Sequence, residues 1–218
     1  MLKCAVPGRG VSIYAGCSPV APAVLRRLRR CYAAVVSPDN TLGISMLTLK
    51  RSEAVVKLSG FPQSSIGAPC PILVASEHAL HVAFYGEPEE AEWNGAITRM
   101  VDSKSTEEQV ILVTFEHPST HLFGPPNDEA FSGHRLAAKG LEPYGAFEVL
   151  HSEWIQQLEA MNAVHPRHDR ARFLEGKRHL ILTFHDSTFE CVARGYKVEF
   201  AKSSLKQAIQ STVGRINA

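Results

Sequence analysis

With 218 residues, 44% hydrophobic and 21% charged, the chain has room for one ordinary globular domain with a buried core and a short appendage. A formal net charge of +1 excludes the strongly basic or acidic balance of a nucleic-acid or membrane-surface protein, and no stretch has the apolar length of a membrane span or a secretory leader. The five cysteines, Cys4, Cys17, Cys31, Cys70 and Cys191, are odd in number, widely spaced and without a Cys-x-x-Cys pair, which argues against a disulfide framework or structural zinc and for a reducing, cytoplasmic setting.

Residues 1–45 differ from the rest. Their cations are Lys3, Arg9, Arg26, Arg27, Arg29 and Arg30 against Asp39 alone, and they hold three of the cysteines and no histidine. Residues 21–36 have helix-compatible apolar spacing, with Pro22 tolerated in the first turn. Such a segment fits an Arg-rich targeting leader, a basic arm for an acidic partner, or upstream residues ahead of a native start at Met46. We take the last, because it alone explains why charge, cysteine and histidine usage shift together, and expect a single domain over 46–218.

That domain opens with strand signals at 54–58, and 72–75 with 79–85 reads as a hairpin in which Leu80, Val82 and Phe84 share one face. After an acidic stretch at 87–92 a helical turn through Met100 is expected. Residues 109–117 hold Val110, Ile111, Leu112 and Val113 in a row, the pattern of a central strand covered on both faces. A long connection from Pro118 to Gly145 follows, in which Asn127 is suited to cap a short helix ending at Gly140. Residues 146–150 predict a strand, and Ser152 caps a predicted helix over 153–162 that buries Trp154, Ile155, Leu158 and Met161.

The last third carries the most specific expectation. Leu180, Leu182 and Phe184 alternate with His179, Ile181, Thr183 and His185, whereas Phe189, Cys191 and Ala193 alternate with Thr188, Glu190 and Val192. One straight strand would place the two apolar sets on opposite faces, so the chain must turn or bulge between them. A two-residue turn at Asp186 and Ser187 pairs Phe184 with Phe189 and Thr183 with Glu190, leaving one face apolar and the other with His185 and Glu190. A strand at 196–200 and a closing helix from Ser203 or Ser204, packing Leu205, Ile209 and Val213, complete an α+β fold with a mainly antiparallel sheet.

All ten histidines lie between His78 and His185, six of them near carboxylates, which is the composition of a polar site. His185 beside Asp186, with Glu190 across the expected hairpin and His121 from the long connection, offers an imidazole and an orienting carboxylate for proton transfer. Asp128, Glu129 and His134 on that connection, and Arg167 and His168 in the basic run at 165–172, are candidate ligand-binding residues. Asp186 is equally a turn former, and the basic run reads first as a solvated loop. His117, His121, His185 and Glu190 could together hold a divalent metal, although no spacing demands it and no His-Glu-x-x-His pattern is present. Gly-x-Ser-x-Gly and glycine-rich phosphate motifs are absent. The residues point first to a small-molecule enzyme of hydrolase or lyase type with a histidine–carboxylate site, and second to a non-catalytic ligand-binding or protein-interaction module. Convergence of His185, Glu190 and a loop histidine on one pocket would separate the two.

Overall fold

In the computed structural model residues 51–87, 100–106 and 108–216 are described; the expectations for 1–45, for the start at Met46 and for the acidic stretch and turn leading to Met100 fall wholly or mostly outside them. The strands are β1 (Ala54–Lys57), β2 (Ile72–Ala75), β3 (Leu80–Tyr85), β4 (Gln109–Glu116), β5 (Thr120–Gly124), β6 (Gly145–Leu150), β7 (Arg178–Thr183), β8 (Thr188–Ala193) and β9 (Gly195–Lys202), with helices α1 (Glu153–Asn162), α2 (Arg170–Leu174) and α3 (Leu205–Ile216). They form two antiparallel sheets, ordered β1-β6-β7-β8-β5 and β2-β3-β4-β9. The α+β, mainly antiparallel architecture is as expected, with α1 at 153–162 and α3 at the C-terminal end.

The two sheets face each other. Leu80, Val82 and Phe84 of β3 and Ile111, Val113 and Phe115 of β4 meet Leu180 and Leu182 of β7 and Phe189, Cys191 and Ala193 of β8 in one buried cluster. Phe84 meets Phe184 edge-on at 5.2 Å between centroids, and Phe115 lies 5.1 Å from Phe189, separations at which aromatic pairs add to simple area burial. The other face of β4 places Val110 and Leu112 against Leu205 of α3, so this strand is covered on both sides, which is why its apolar residues are consecutive. Helix α3 begins with a reciprocal cap: Ser204 Oγ accepts from the Gln207 N–H at 3.2 Å, and Gln207 Oε1 accepts from the Ser204 N–H at 3.2 Å. Val213, expected in its packed face, is 40% exposed.

Four local expectations are corrected. The β7–β8 turn is a four-residue loop over 184–187, closed by the Phe184 N–H donating to Ser187 O at 2.8 Å. Leu182 therefore faces Phe189 and Ile181 faces Glu190, a register two residues from the expected one. The apolar sets still share a face, because a shift of two restores side-chain parity. Within the long connection, residues 120–124 form the edge strand β5 paired to β8, and the expected helix from Asn127 is replaced by two 3₁₀ turns, Phe131–Gly133 and Ala137–Lys139, the second ended by Gly140 at φ 96°. In α1 Met161 is 71% exposed and Glu159 is buried, since His168 Nε2 at 2.8 Å and Arg170 Nη1 at 2.6 Å satisfy its carboxylate. The basic run is solvated apart from half-buried His168, but its end is helical: Asp169 caps α2 by accepting from the Arg172 N–H at 3.1 Å.

Candidate functional site

Both faces of the five-stranded sheet are covered. On the face away from the other sheet, Phe147 and Val149 of β6 and Ile181 of β7 carry Phe131, Leu136 and Leu141 from the long connection, which lies over the strands as a lid. A buried carboxylate clamps this lid. Glu53, just before β1, accepts from Arg135 Nη1 at 3.0 and 3.1 Å, Lys139 Nζ at 2.7 Å and the Glu153 N–H at 2.8 Å. Burial works to raise its pKa, but Lys139, the Glu153 amide and Arg135 hold it below the ordinary carboxylate value. Glu53→Gln is expected to cost about 1–3 kcal/mol in urea denaturation, because a neutral amide cannot serve three donors.

Beside that apolar patch a chain of polar side chains runs through the interior. Strand β6 ends at Leu150, His151 turns the chain at φ 55°, a conformation disfavoured for a residue with a Cβ, and Ser152 then opens α1. Ser152 Oγ lies 2.8 Å from His179 Nδ1, His179 Nε2 lies 2.8 Å from Glu190 Oε2, and His134 Nε2 lies 3.0 Å from Glu190 Oε1. His179 is completely buried, with the Trp154 ring set edge-on against it at 5.1 Å. Burial would raise the Glu190 carboxyl, but the hydrogen bonds and charges of His134 and His179 outweigh it and bring its pKa down to about 2.

The ionised carboxylate can only accept, so each imidazole nitrogen that faces it donates. His179 donates its Nε2–H to Glu190, and its Nδ1 faces the Ser152 hydroxyl. His134 likewise donates from Nε2, while its Nδ1 accepts the Leu136 N–H at 3.2 Å. The result is a serine hydroxyl hydrogen-bonded to an imidazole that is oriented by a carboxylate. Ser152 also forms part of the wall of a cleft of about 280 Å³, together with His151, Ile155, Gln156, Leu174 and Lys177. Gln156 Oε1 is held by Arg170 Nη2 at 2.7 Å, which orients its side-chain amide.

A second, more exposed cluster pins the other end of the lid. Asp128 Oδ2 accepts from the Tyr144 hydroxyl, and His185 Nδ1 stands 2.9 Å from both. The Tyr144 bond, aided by His185, depresses the Asp128 pKa, and the same bond to Asp128, with burial, pushes the Tyr144 phenol up to about 12. His185 Nε2 is left facing Asp186 Oδ1 at 3.9 Å, and the Asp186 side chain is 86% exposed.

The sequence-predicted residues thus fall into separate places. Glu190 and the lid histidine His134 converge, but their third partner is His179, while His185 joins Asp128 instead, so the expected convergence of His185, Glu190 and a loop histidine does not occur. His121 pairs in register with Cys191, on the sheet face opposite Glu190, because neighbouring β8 residues alternate. His117 and Glu129 are exposed, Arg167 is exposed, and His168 is engaged with Glu159 and Asn162. His117, His121, His185 and Glu190 therefore form no common centre, and among the described residues no three His, Cys, Asp or Glu side chains are grouped to hold a metal ion. Ser152 and His179 were not among the predicted site residues. The signal was present: His179 has the outward parity of Glu190, and Ser152 lies at a strand-to-helix junction, but its capping role gave a sufficient local explanation.

Comparison with protein families, curated proteins and solved structures finds no match to this chain. Among the described residues no helix is long and apolar enough to cross a membrane.

Proposed function

We propose that the protein is a hydrolase of small acyl substrates, esters or amides, with Ser152 as nucleophile, His179 as general base and acid, and Glu190 as the carboxylate that orients and stabilises the imidazole. The observation that carries this reading is the unbroken Ser152–His179–Glu190 relay, with links of 2.8 Å, whose serine borders a cleft. Ser152 Oγ adds to the substrate carbonyl carbon as its proton passes to His179 Nδ1. Glu190 offsets the charge of the imidazolium through the Nε2–H bond, and His134 holds the carboxylate's other oxygen. The proton on Nδ1 then goes to the leaving group as the carbon–leaving-group bond breaks. Water repeats the sequence on the acyl-serine, releasing the acid and restoring the hydroxyl. Gln156, its oxygen occupied by Arg170, has its N–H donors free to meet the developing oxyanion. The strained turn at His151 fits a nucleophile presented on a sharp strand-to-helix junction.

This assigns the histidine–carboxylate chemistry to His179 and Glu190, and leaves His185, with Asp128 and Tyr144, to fasten the lid. A reducing, cytoplasmic setting accords with free thiols at Cys70 and Cys191; burial pushes the Cys191 thiol up, so it serves as core. The test is covalent labelling with a fluorophosphonate followed by peptide mass analysis. A single adduct on Ser152, absent when His179 is replaced by alanine, is the expected result. Absence of an adduct under conditions that label a known serine esterase, or an adduct on another residue, overturns the reading and leaves a ligand-binding module.

A further inference from the structure

The wall of the Ser152 cleft carries an unbalanced positive charge. Arg178 and Glu148, both lining it, satisfy one another through two bonds of 3.1 and 2.6 Å. Lys177 has no such answer. Its ammonium donates to Ser119 Oγ at 2.6 Å and lies 4.7 Å from the centre of the Phe173 ring, and among the described residues no carboxylate stands within ion-pair distance of it. Burial, and then the nearby Arg194, lower its pKa, as expected for a partly desolvated cation in a positive neighbourhood. A hydroxyl and a ring face do not compensate a desolvated ammonium as an anion does. Val149, Leu150, Ile155 and Leu174 supply the rest of the wall with aliphatic surface.

Resting on the hydrolase reading of Ser152, we infer that the substrate carries a carboxylate, held by Lys177, in addition to the acyl group that Ser152 attacks. A carboxylate suits the site better than a phosphate. The cleft wall carries one ammonium, a point charge whose hydrogen-bond partner is the neutral Ser119 hydroxyl, and its guanidinium fork, Arg178, is already taken by Glu148. The aliphatic wall would take the short chain between the two functions.

The test compares p-nitrophenyl monoesters of succinate, glutarate and adipate with neutral p-nitrophenyl butyrate, using the full chain. The best anionic ester is expected to exceed the neutral one at least about tenfold in kcat/KM, a ratio that falls with added salt. Lys177→Met is expected to collapse that ratio toward one, chiefly through KM, while Lys202→Met, on the other sheet, keeps it. A second measurement needs no turnover: glutarate should bind the Ser152→Ala protein in calorimetry and lose at least about tenfold in affinity when Lys177→Met is added. A charge preference that survives Lys177→Met, or dicarboxylate binding that is absent or indifferent to Lys177, overturns the carboxylate site. Ester hydrolysis that survives Ser152→Ala overturns the hydrolase reading instead, so the two failures are distinct.

Discussion

Replacing Ser152 by alanine is expected to lower kcat/KM for ester hydrolysis by about four orders of magnitude, as loss of a nucleophile does when nucleophile and base act as a unit. The competing account is that Ser152 is only a helix cap: its Oγ does accept the Ile155 N–H, at 3.3 Å. Magnitudes separate the two. Loss of a cap costs about 0.5–2 kcal/mol, and leaving His179 Nδ1 without its donor adds about 1–3 kcal/mol. A domain with a stability on the order of 5–15 kcal/mol would stay almost entirely folded after such a loss. A structural serine therefore predicts nearly full activity at 25 °C and a lower Tm, whereas a nucleophile predicts a folded and inert protein. Initial rates normalised to folded protein by circular dichroism decide; retention of more than about a tenth of the activity would leave only the cap.

Glu190→Gln is expected to damage both stability and chemistry. The amide keeps the shape of the carboxylate but has a single acceptor oxygen for the two imidazole N–H groups of His134 and His179. One imidazole must lose its bond or change tautomer. Hydrogen bonds to a charged acceptor contribute about 1.5–3 kcal/mol each, so a loss of about 2–4 kcal/mol is expected in denaturant unfolding. A change of tautomer at His179 would put a proton on Nδ1, where the serine hydroxyl must donate, and kcat should fall by about 10³–10⁴-fold with little change in KM.

The pH dependence gives an independent reading of the same site. The Glu190 pKa is lowered from 4.5 to about 2 in the folded protein, so the folded state prefers the ionised carboxylate. Its contribution is fully present above the unfolded value and is lost as the pH falls from 4.5 through about 2. The wild-type stability curve should drop across that window by about 2–3 kcal/mol more than the Glu190→Gln curve, after allowance for partial solvent screening, and the two should converge near its acid end. Parallel curves would mean that the carboxylate is not the acceptor for both histidines.

Much of the architecture was legible because it is written in local periodicities. The alternation in β3, the consecutive apolar run of β4, and the opposed parities on either side of residues 184–187 each report a covered face without knowledge of what covers it. Edge strand β5 escaped notice because Pro118 and Pro125 confine it to five residues and because its outer face exposes Leu122. The buried Glu159 was invisible for another reason: a carboxylate in a helix looks solvated until His168, from the following turn, and Arg170, from the next helix, are brought to it.

For the site, the amino-acid order by itself determined that His179, His185 and Glu190 share a parity once the chain turns, that Ser152 begins a helix, and that the connection after β4 is long enough to lie over the sheet. Which of these side chains meet was decided only by the tertiary structure. A hairpin register can slip by two residues without moving any side chain to the other face, so alternation cannot choose the partners of Glu190. The choice rests on the packing of Phe131, Leu136 and Leu141 over the sheet, which brings His134 to a carboxylate 56 positions away along the chain, an encounter that no local pattern encodes.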